Sequence, residues 1–199
     1  MHITPPIAFL LLATLGLNAC VSSIKPETKQ LDFYDFGLQS NENRVSFDLP
    51  IEQLSATDAI QHSNIRYRLN DKNPAQVFGY TESRWSTLPA ELLRQKIVNA
   101  PSNNTSCNVK LQIAAFDQVF DSASSSHGVV QLQAGLIDRR SRKQLASTLL
   151  SAQSTAQSAD ARGGVAALNA ASTQALQQAA DWAKQTSQSF SECQTSTLP

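Results

Sequence analysis

The sequence predicts an α+β fold: a single, mostly antiparallel sheet with two main helices packed on one face. Three observations carry that expectation. Past the middle of the chain, three long runs alternate apolar and polar residues with polar connections between them, the pattern of an antiparallel meander with one covered face. Two shorter runs flank Asn70-Asp71-Lys72-Asn73-Pro74, a polar, proline-bearing cluster that signals a turn. Near its end the chain has a long alanine-rich stretch whose apolar residues recur at about three to four residue spacing, the period of a helix.

In chain order, residues 7–17 (IAFLLLATLGL) are apolar and uncharged. The run is shorter than the roughly 20 residues that cross a bilayer and suits the h-region of a secretory signal. It ends in Leu17-Asn18-Ala19-Cys20, which resembles a bacterial lipobox. That resemblance implies a signal peptide over residues 1–19, cleavage before Cys20, a diacylglycerol on the Cys20 thiol and an acyl chain on the new amino terminus. Several acyl chains anchor durably, because each buried CH₂ contributes about 0.8 kcal/mol. Val21, rather than Asp, follows the cysteine, which points to the outer membrane with the body on the periplasmic face. The n-region has no Lys or Arg, only the Met1 amine and His2, and Asn18 is large for its position. A start upstream, or an ordinary secretory signal with an incidental Cys20, stays open.

Residues 21–30 (VSSIKPETKQ) are polar and read, with Cys20, as a lipidated tether. Residues 31–38 (LDFYDFGL) alternate as a strand, and 44–49 place Val45, Phe47 and Leu49 on one face before Pro50. Residues 55–62 suit a short helix. Residues 65–69 and 76–82 form a hairpin. A helix follows, with Thr87 as cap, Pro89 in its first turn and a Leu92, Leu93, Ile97 stripe, ending at 100–104. The first long strand carries Val109, Leu111, Ile113 and Ala115. The second, after a loop at 122–128, carries Val130, Leu132, Ala134 and Leu136. The third runs from Leu145 to about Gln157, after the basic turn 138–143. The final helix spans 160–189 on Val165, Leu168, Ala175, Leu176, Ala179, Trp182 and Ala183, with Gly163-Gly164 weakening its first turn. Residues 31–193 thus read as one domain, with 194–199 a tail.

The 16 basic and 16 acidic residues cancel, so nothing suggests nucleic-acid binding, which shows a basic excess or stripe. With Cys20 lipidated, Cys107 and Cys193 remain. In an oxidising periplasm they form a candidate disulfide between the start of a central strand and the end of the last helix. Two unrelated thiols are the alternative. Catalytic machinery is hard to find. His2 leaves with the signal, and His62 and His127 lie in polar stretches that suit solvated surface histidines. The serines beside His127 are sequence neighbours, whereas triad members meet through the fold. No metal-ligand spacing or phosphate loop appears, so the expectation is a non-enzyme with no cofactor beyond the acyl groups. The 138–143 cluster reads as a solvated turn, with anionic headgroups as its alternative ligand.

The segment Tyr80–Pro89 (YTESRWSTLP) carries more information. It delivers a tyrosine, an arginine and a tryptophan into a helix start. Arg84 offers a planar fork, and Trp85 a large buried surface with one N–H. Trp85 either anchors the helix against the sheet or contacts a partner. Ile65-Arg66-Tyr67-Arg68, then Tyr80, then Arg84-Trp85 before a leucine-rich helix resembles the ABC-type transport auxiliary lipoproteins, the PqiC-like family. Arg68, Tyr80, Arg84 and Trp85 are the motif positions and candidate partner contacts. Tyr34-Asp35-Phe36-Gly37-Leu38, the lipobox and the long last helix fit the same family. Ser86-Thr87-Leu88-Pro89 departs from its more usual alanine and proline-leucine.

The resemblance implies an outer-membrane-anchored accessory of an intermembrane lipid transport system. Its partner would be an MCE-domain protein, and it would assemble as a homo-oligomeric ring that docks and positions. The rival readings are an envelope-assembly lipoprotein with a TolB-amino-terminal-like domain that regulates a cell-wall synthase and, more distantly, a hydrolase.

Overall fold

The computed structural model describes residues 30–38, 40, 43–99 and 106–194; Cys20, the signal and the tether's residues 21–29 lie outside them. The elements run β1 (Asp32–Tyr34), β2 (Val45–Phe47), β3 (Ile51–Ala56), β4 (Asn64–Leu69), β5 (Asn73–Trp85), α1 (Pro89–Gln95), β6 (Ile97–Asn99), β7 (Cys107–Ser122), β8 (Ser125–Asp138), β9 (Gln144–Thr155) and α2 (Ala161–Gln188). A single 3₁₀ turn, Ser191–Cys193, follows. The fold is α+β.

A seven-stranded sheet has the order β1-β5-β4-β7-β8-β9, with β3 also paired to β7, while β2 and β6 form a separate two-stranded sheet. The large sheet is mostly antiparallel, as expected, but mixed rather than purely so. The β4/β5, β7/β8 and β8/β9 pairs are antiparallel, whereas β1/β5, β3/β7 and β4/β7 are parallel. The expected meander is present. What alternation could not show is that the short strands pair across long sequence distances, where parallel neighbours are reached by crossovers.

Several local expectations change. Residues 55–62 are not a helix: β3 occupies Ile51–Ala56, placing Leu54 and Ala56 inward against β7, and the chain then turns at Thr57, whose carbonyl accepts from Ile60 and Gln61 N–H. The first strand stops at Tyr34, because Gly37 N–H donates to Asp35 Oδ1 and Gly37 takes φ 69°, a left-handed turn. Leu88, not Thr87, is the N-cap of α1, without a side-chain cap, and Ile97 leaves the helix to pair with Val45. The loop expected at 122–128 is a tight turn after Ser122, so Ser126, His127 and Gly128 belong to β8.

One face of the sheet is covered. Leu92 and Leu93 of α1 and Leu168, Ala171, Ala175, Leu176 and Ala179 of α2 share one core with Val109, Leu111, Ile113, Val130, Leu132, Ala134 and Leu136. Each large apolar side chain removed from water there contributes about 1.5–3 kcal/mol. The alanine stripe and two close approaches let α2 lie low on the strands. A Cβ on Gly128 would stand 2.6 Å from Leu168 N, and one on Gly164 would stand 2.0 Å from Gln118 Oε1. Gly164 therefore fits the start of the helix onto the sheet, and Gly163 makes room for the Ser158 carbonyl just before the helix, whose start Asp160 caps by accepting from Gly163 N–H at 2.8 Å. On the opposite face, Gln53, Ser55, Gln112, Gln133, Gln144 and Ser147 line a shallow polar groove.

Candidate functional site

The β4–β5 hairpin gathers the motif positions, and its two faces use them differently. Tyr67 lies opposite Phe78 and Arg66 opposite Gly79, so alternation sends the aromatic residues to the helix side and the arginines to the open side.

On the open side, Arg68 Nε donates to Asp117 Oδ2 at 2.8 Å, and Arg68 Nη1 donates to Pro74 O at 3.0 Å. Arg66 Nε lies 2.8 Å from Asp117 Oδ1 without a well-aimed hydrogen bond, and its Nη1 donates to Ala59 O at 2.5 Å. Asp117 sits on β7 and is almost wholly buried, so one carboxylate is clamped between two guanidiniums of the neighbouring strand. A buried carboxylate persists only with such partners. Beside this triad lies a groove of about 310 Å³ lined by Ala59, His62, Asn64, Arg66, Val77, Phe78 and Gly79.

On the helix side, Tyr67 stacks on Phe78 at 5.2 Å and meets Tyr80 at 4.8 Å and Phe120 at 5.8 Å between ring centroids. The Tyr80 hydroxyl donates to Gln118 Oε1 at 2.8 Å. Gln118 Nε2 in turn donates to Ser126 Oγ at 2.8 Å and to Asp160 O at 3.1 Å. Burial, then the Asp160 charge and Tyr67, push the Tyr80 phenol well above its ordinary range, so it stays a donor. Gln118 thereby joins hairpin, β8 and the start of α2. The same N-cap hydrogen bond from Gly163 N–H, with one from the Ser158 hydroxyl, holds the Asp160 carboxyl below its ordinary range.

Arg84 and Trp85 are framework. Between the Arg66–Gly79 and Asn64–Arg84 pairs, β5 carries extra residues that interrupt the ladder. The Arg84 guanidinium folds back there and donates to Tyr80 O and, at 2.8 Å, to Ser83 O, satisfying carbonyls the bulge sets free. Trp85 is 1% exposed and packs edge-on against Phe36 at 5.9 Å and against Phe116 at 5.5 Å. It is a core residue, set between Phe36 and Phe116. So deep a side chain offers no surface to a partner.

Cys107 and Cys193 are joined as a disulfide with Cα atoms 5.0 Å apart, tying the start of β7 to the 3₁₀ turn after α2. His127 Nδ1 lies 2.9 Å from Asp121 Oδ2 at the β7–β8 turn, and among the described residues no serine hydroxyl is its hydrogen-bond partner. Among the described residues, no group of three His, Cys, Asp or Glu side chains is placed to hold a metal. The 138–143 turn is held by Asp138, which accepts from Arg140 N–H, Ser141 N–H and the Ser141 hydroxyl; these bonds, the hydroxyl's first, keep its carboxyl below the ordinary range.

Sequence reasoning missed Asp117, Gln118 and Lys96. Asp117-Gln118 was legible as a polar pair inside an apolar run, Phe116 to Phe120. Lys96 gave no such signal. Its side chain is 1% exposed; Nζ donates to Thr173 Oγ1 of α2 at 2.9 Å and lies 5.2 Å from the Phe36 ring centroid. Burial draws its pKa below the ordinary lysine value of 10.5, with no carboxylate partner among the described residues.

With these contacts placed, solved structures supply a relationship. A DUF330-family protein of Xanthomonas campestris superposes with TM-score 0.59 at 19% identity, over 74% of this chain and 90% of its own. An uncharacterized protein superposes with TM-score 0.55 at 13% identity, over 79% of this chain and 99% of its own. The fold is that of DUF330 proteins. At these identities the likeness shows the fold alone. No protein-family model matches the sequence, and no curated protein does.

Proposed function

We propose that this chain is a lipoprotein, anchored through Cys20 to the periplasmic face of the outer membrane, that serves as a docking accessory of an MCE/ABC-type intermembrane lipid transport system. What supports the reading is the conjunction of a lipobox-like segment with a fold like that of DUF330, the PqiC-like family, in a chain whose motif residues resemble that family's. The acyl chains on Cys20 confine the body to a surface, which raises its effective concentration at a membrane-bridging MCE-domain partner. The body does no chemistry; it docks and positions, as a homo-oligomeric ring. Among the described residues no helix is long and apolar enough to cross a membrane, so the reading assigns anchoring to the acyl groups. Co-purification tests it. The lipidated protein, extracted in detergent, should bring down an MCE-domain protein, and deletion should make the envelope leaky to lipophilic dyes. A peptidoglycan synthase in place of the MCE protein would favour the cell-wall reading instead.

A further inference from the structure

Five large apolar side chains are exposed among the described residues: Leu31, Phe33, Leu38, Val77 and Leu149. Three of them fall within eight residues of one another, where the fold begins. Phe33 is 65% exposed and Leu38 is fully exposed. Phe33 pairs in register with Arg84, while its neighbour Tyr34 pairs with Trp85 and packs against the core. Leu31, two residues before Phe33, therefore shares the outward side with it. β1 is also an edge strand of the sheet. An edge strand that shows a phenylalanine to solvent is a surface meant for covering.

We propose that this patch rests on the lipid bilayer as a second membrane contact, so that the β1 edge faces the membrane and the β9 edge faces away. The inference depends on lipidation at Cys20. Residues 21–30 form the link from Cys20 to Leu31. Whatever its conformation, a chain of that length reaches at most about 40 Å, so a lipid surface that holds Cys20 stays within that reach of the patch. Leucine and phenylalanine suit burial at the headgroup–acyl boundary, about 5–10 Å deep. Asp32 and Asp35 flank them and disfavour anionic headgroups, so the contact is apolar and the surface it fits is a zwitterionic phospholipid one. Acyl chains alone leave the body free to tumble; the second contact orients it.

The test uses the lipidated protein in phosphatidylethanolamine vesicles doped with a brominated phospholipid, which quenches tryptophan emission on contact. Phe33→Trp and Leu149→Trp place reporters at the two edges, and the wild type supplies the background from Trp85 and Trp182. Emission at position 33 should be lost to the bromines, and emission at 149 kept. Leu31→Ser with Leu38→Ser in the Phe33→Trp chain should restore emission while the protein still floats with the vesicles. Equal quenching at both edges, or none at 33 in a protein that floats, overturns the inference and leaves the anchor standing. A wild type that floats no better than Cys20→Ser overturns the anchor and the inference together.

Discussion

From Cys107 onward, each element packs on its neighbour in sequence. β7, β8 and β9 form consecutive antiparallel ladders, α2 lies across them, and the disulfide closes the unit from the start of β7 to the turn after α2. Before Cys107 the strands are mostly short, and four of them, β1 to β4, pair in parallel with partners far along the chain. What joins the two halves is the pair of parallel ladders that β3 and β4 make on β7, a shared apolar core with Phe36, Trp85 and Phe116, and a seam of polar contacts: Arg66 and Arg68 on Asp117, Tyr80 on Gln118, and Lys96 on Thr173. One half is held by ladders and apolar packing. The other shares the core and two parallel ladders with it, and is fastened in addition through polar groups that must each find a partner, since an unpaired buried group costs more than a paired one contributes. The motif residues Arg68 and Tyr80 belong to that seam, and Arg84 and Trp85 to its support.

The difference can be broken from either side. The largest effect should come from the disulfide. Cys107→Ser with Cys193→Ser releases a loop of 86 residues' separation, for which chain entropy gives a loss of about 4–5 kcal/mol, read as a lower denaturant midpoint. Next is Asp117→Asn, which leaves Arg66 and Arg68 without their carboxylate and should cost about 3 kcal/mol. If the halves are joined as described, hydrogen exchange should rise in β4 and β5 while the amides of β8 stay protected. Tyr80→Phe removes one hydroxyl from Gln118 and should cost about 1 kcal/mol, with the same bias toward the hairpin.

The smallest net effect belongs to Lys96. Its folded pKa is depressed, so over the range below the ordinary value of 10.5 the unfolded chain binds more protons, and stability rises with pH there. Lys96→Met should flatten that rise. At neutral pH it should leave stability unchanged or raise it by about 1 kcal/mol. Thermal unfolding followed between neutral and alkaline pH reads both. An Asp117→Asn chain that unlocks β8 as readily as β4 would erase the distinction between the halves.

The same contrast explains what the sequence made legible. The three long strands and α2 announce themselves because a covered sheet face and an amphipathic helix impose periods of two and 3.6 on residues that are neighbours in the chain. β3 followed Pro50 so closely, and was so short, that residues 55–62 looked helical, and its partner Val109 to Ile113 lies more than half a sheet away in sequence. β6 was absorbed into a helical stripe because Ile97 sits one turn after Leu93. Trp85, Arg84 and the cysteine pair were visible as residues; which face each would take was not, because the bulge in β5 shifts the register that assigns faces. Lys96 was unreadable, since a lone lysine between a helix and a strand is ordinarily solvated.

The proposed role is tested most directly by crosslinking in living cells. With the wild-type lipoprotein at its native level, a membrane-permeant amine crosslinker should give an adduct that contains an MCE-domain protein, and Cys20→Ser should abolish it while the folded body persists in the periplasm. Adducts with no MCE or ABC-transport component, or adducts unchanged by Cys20→Ser, would contradict it.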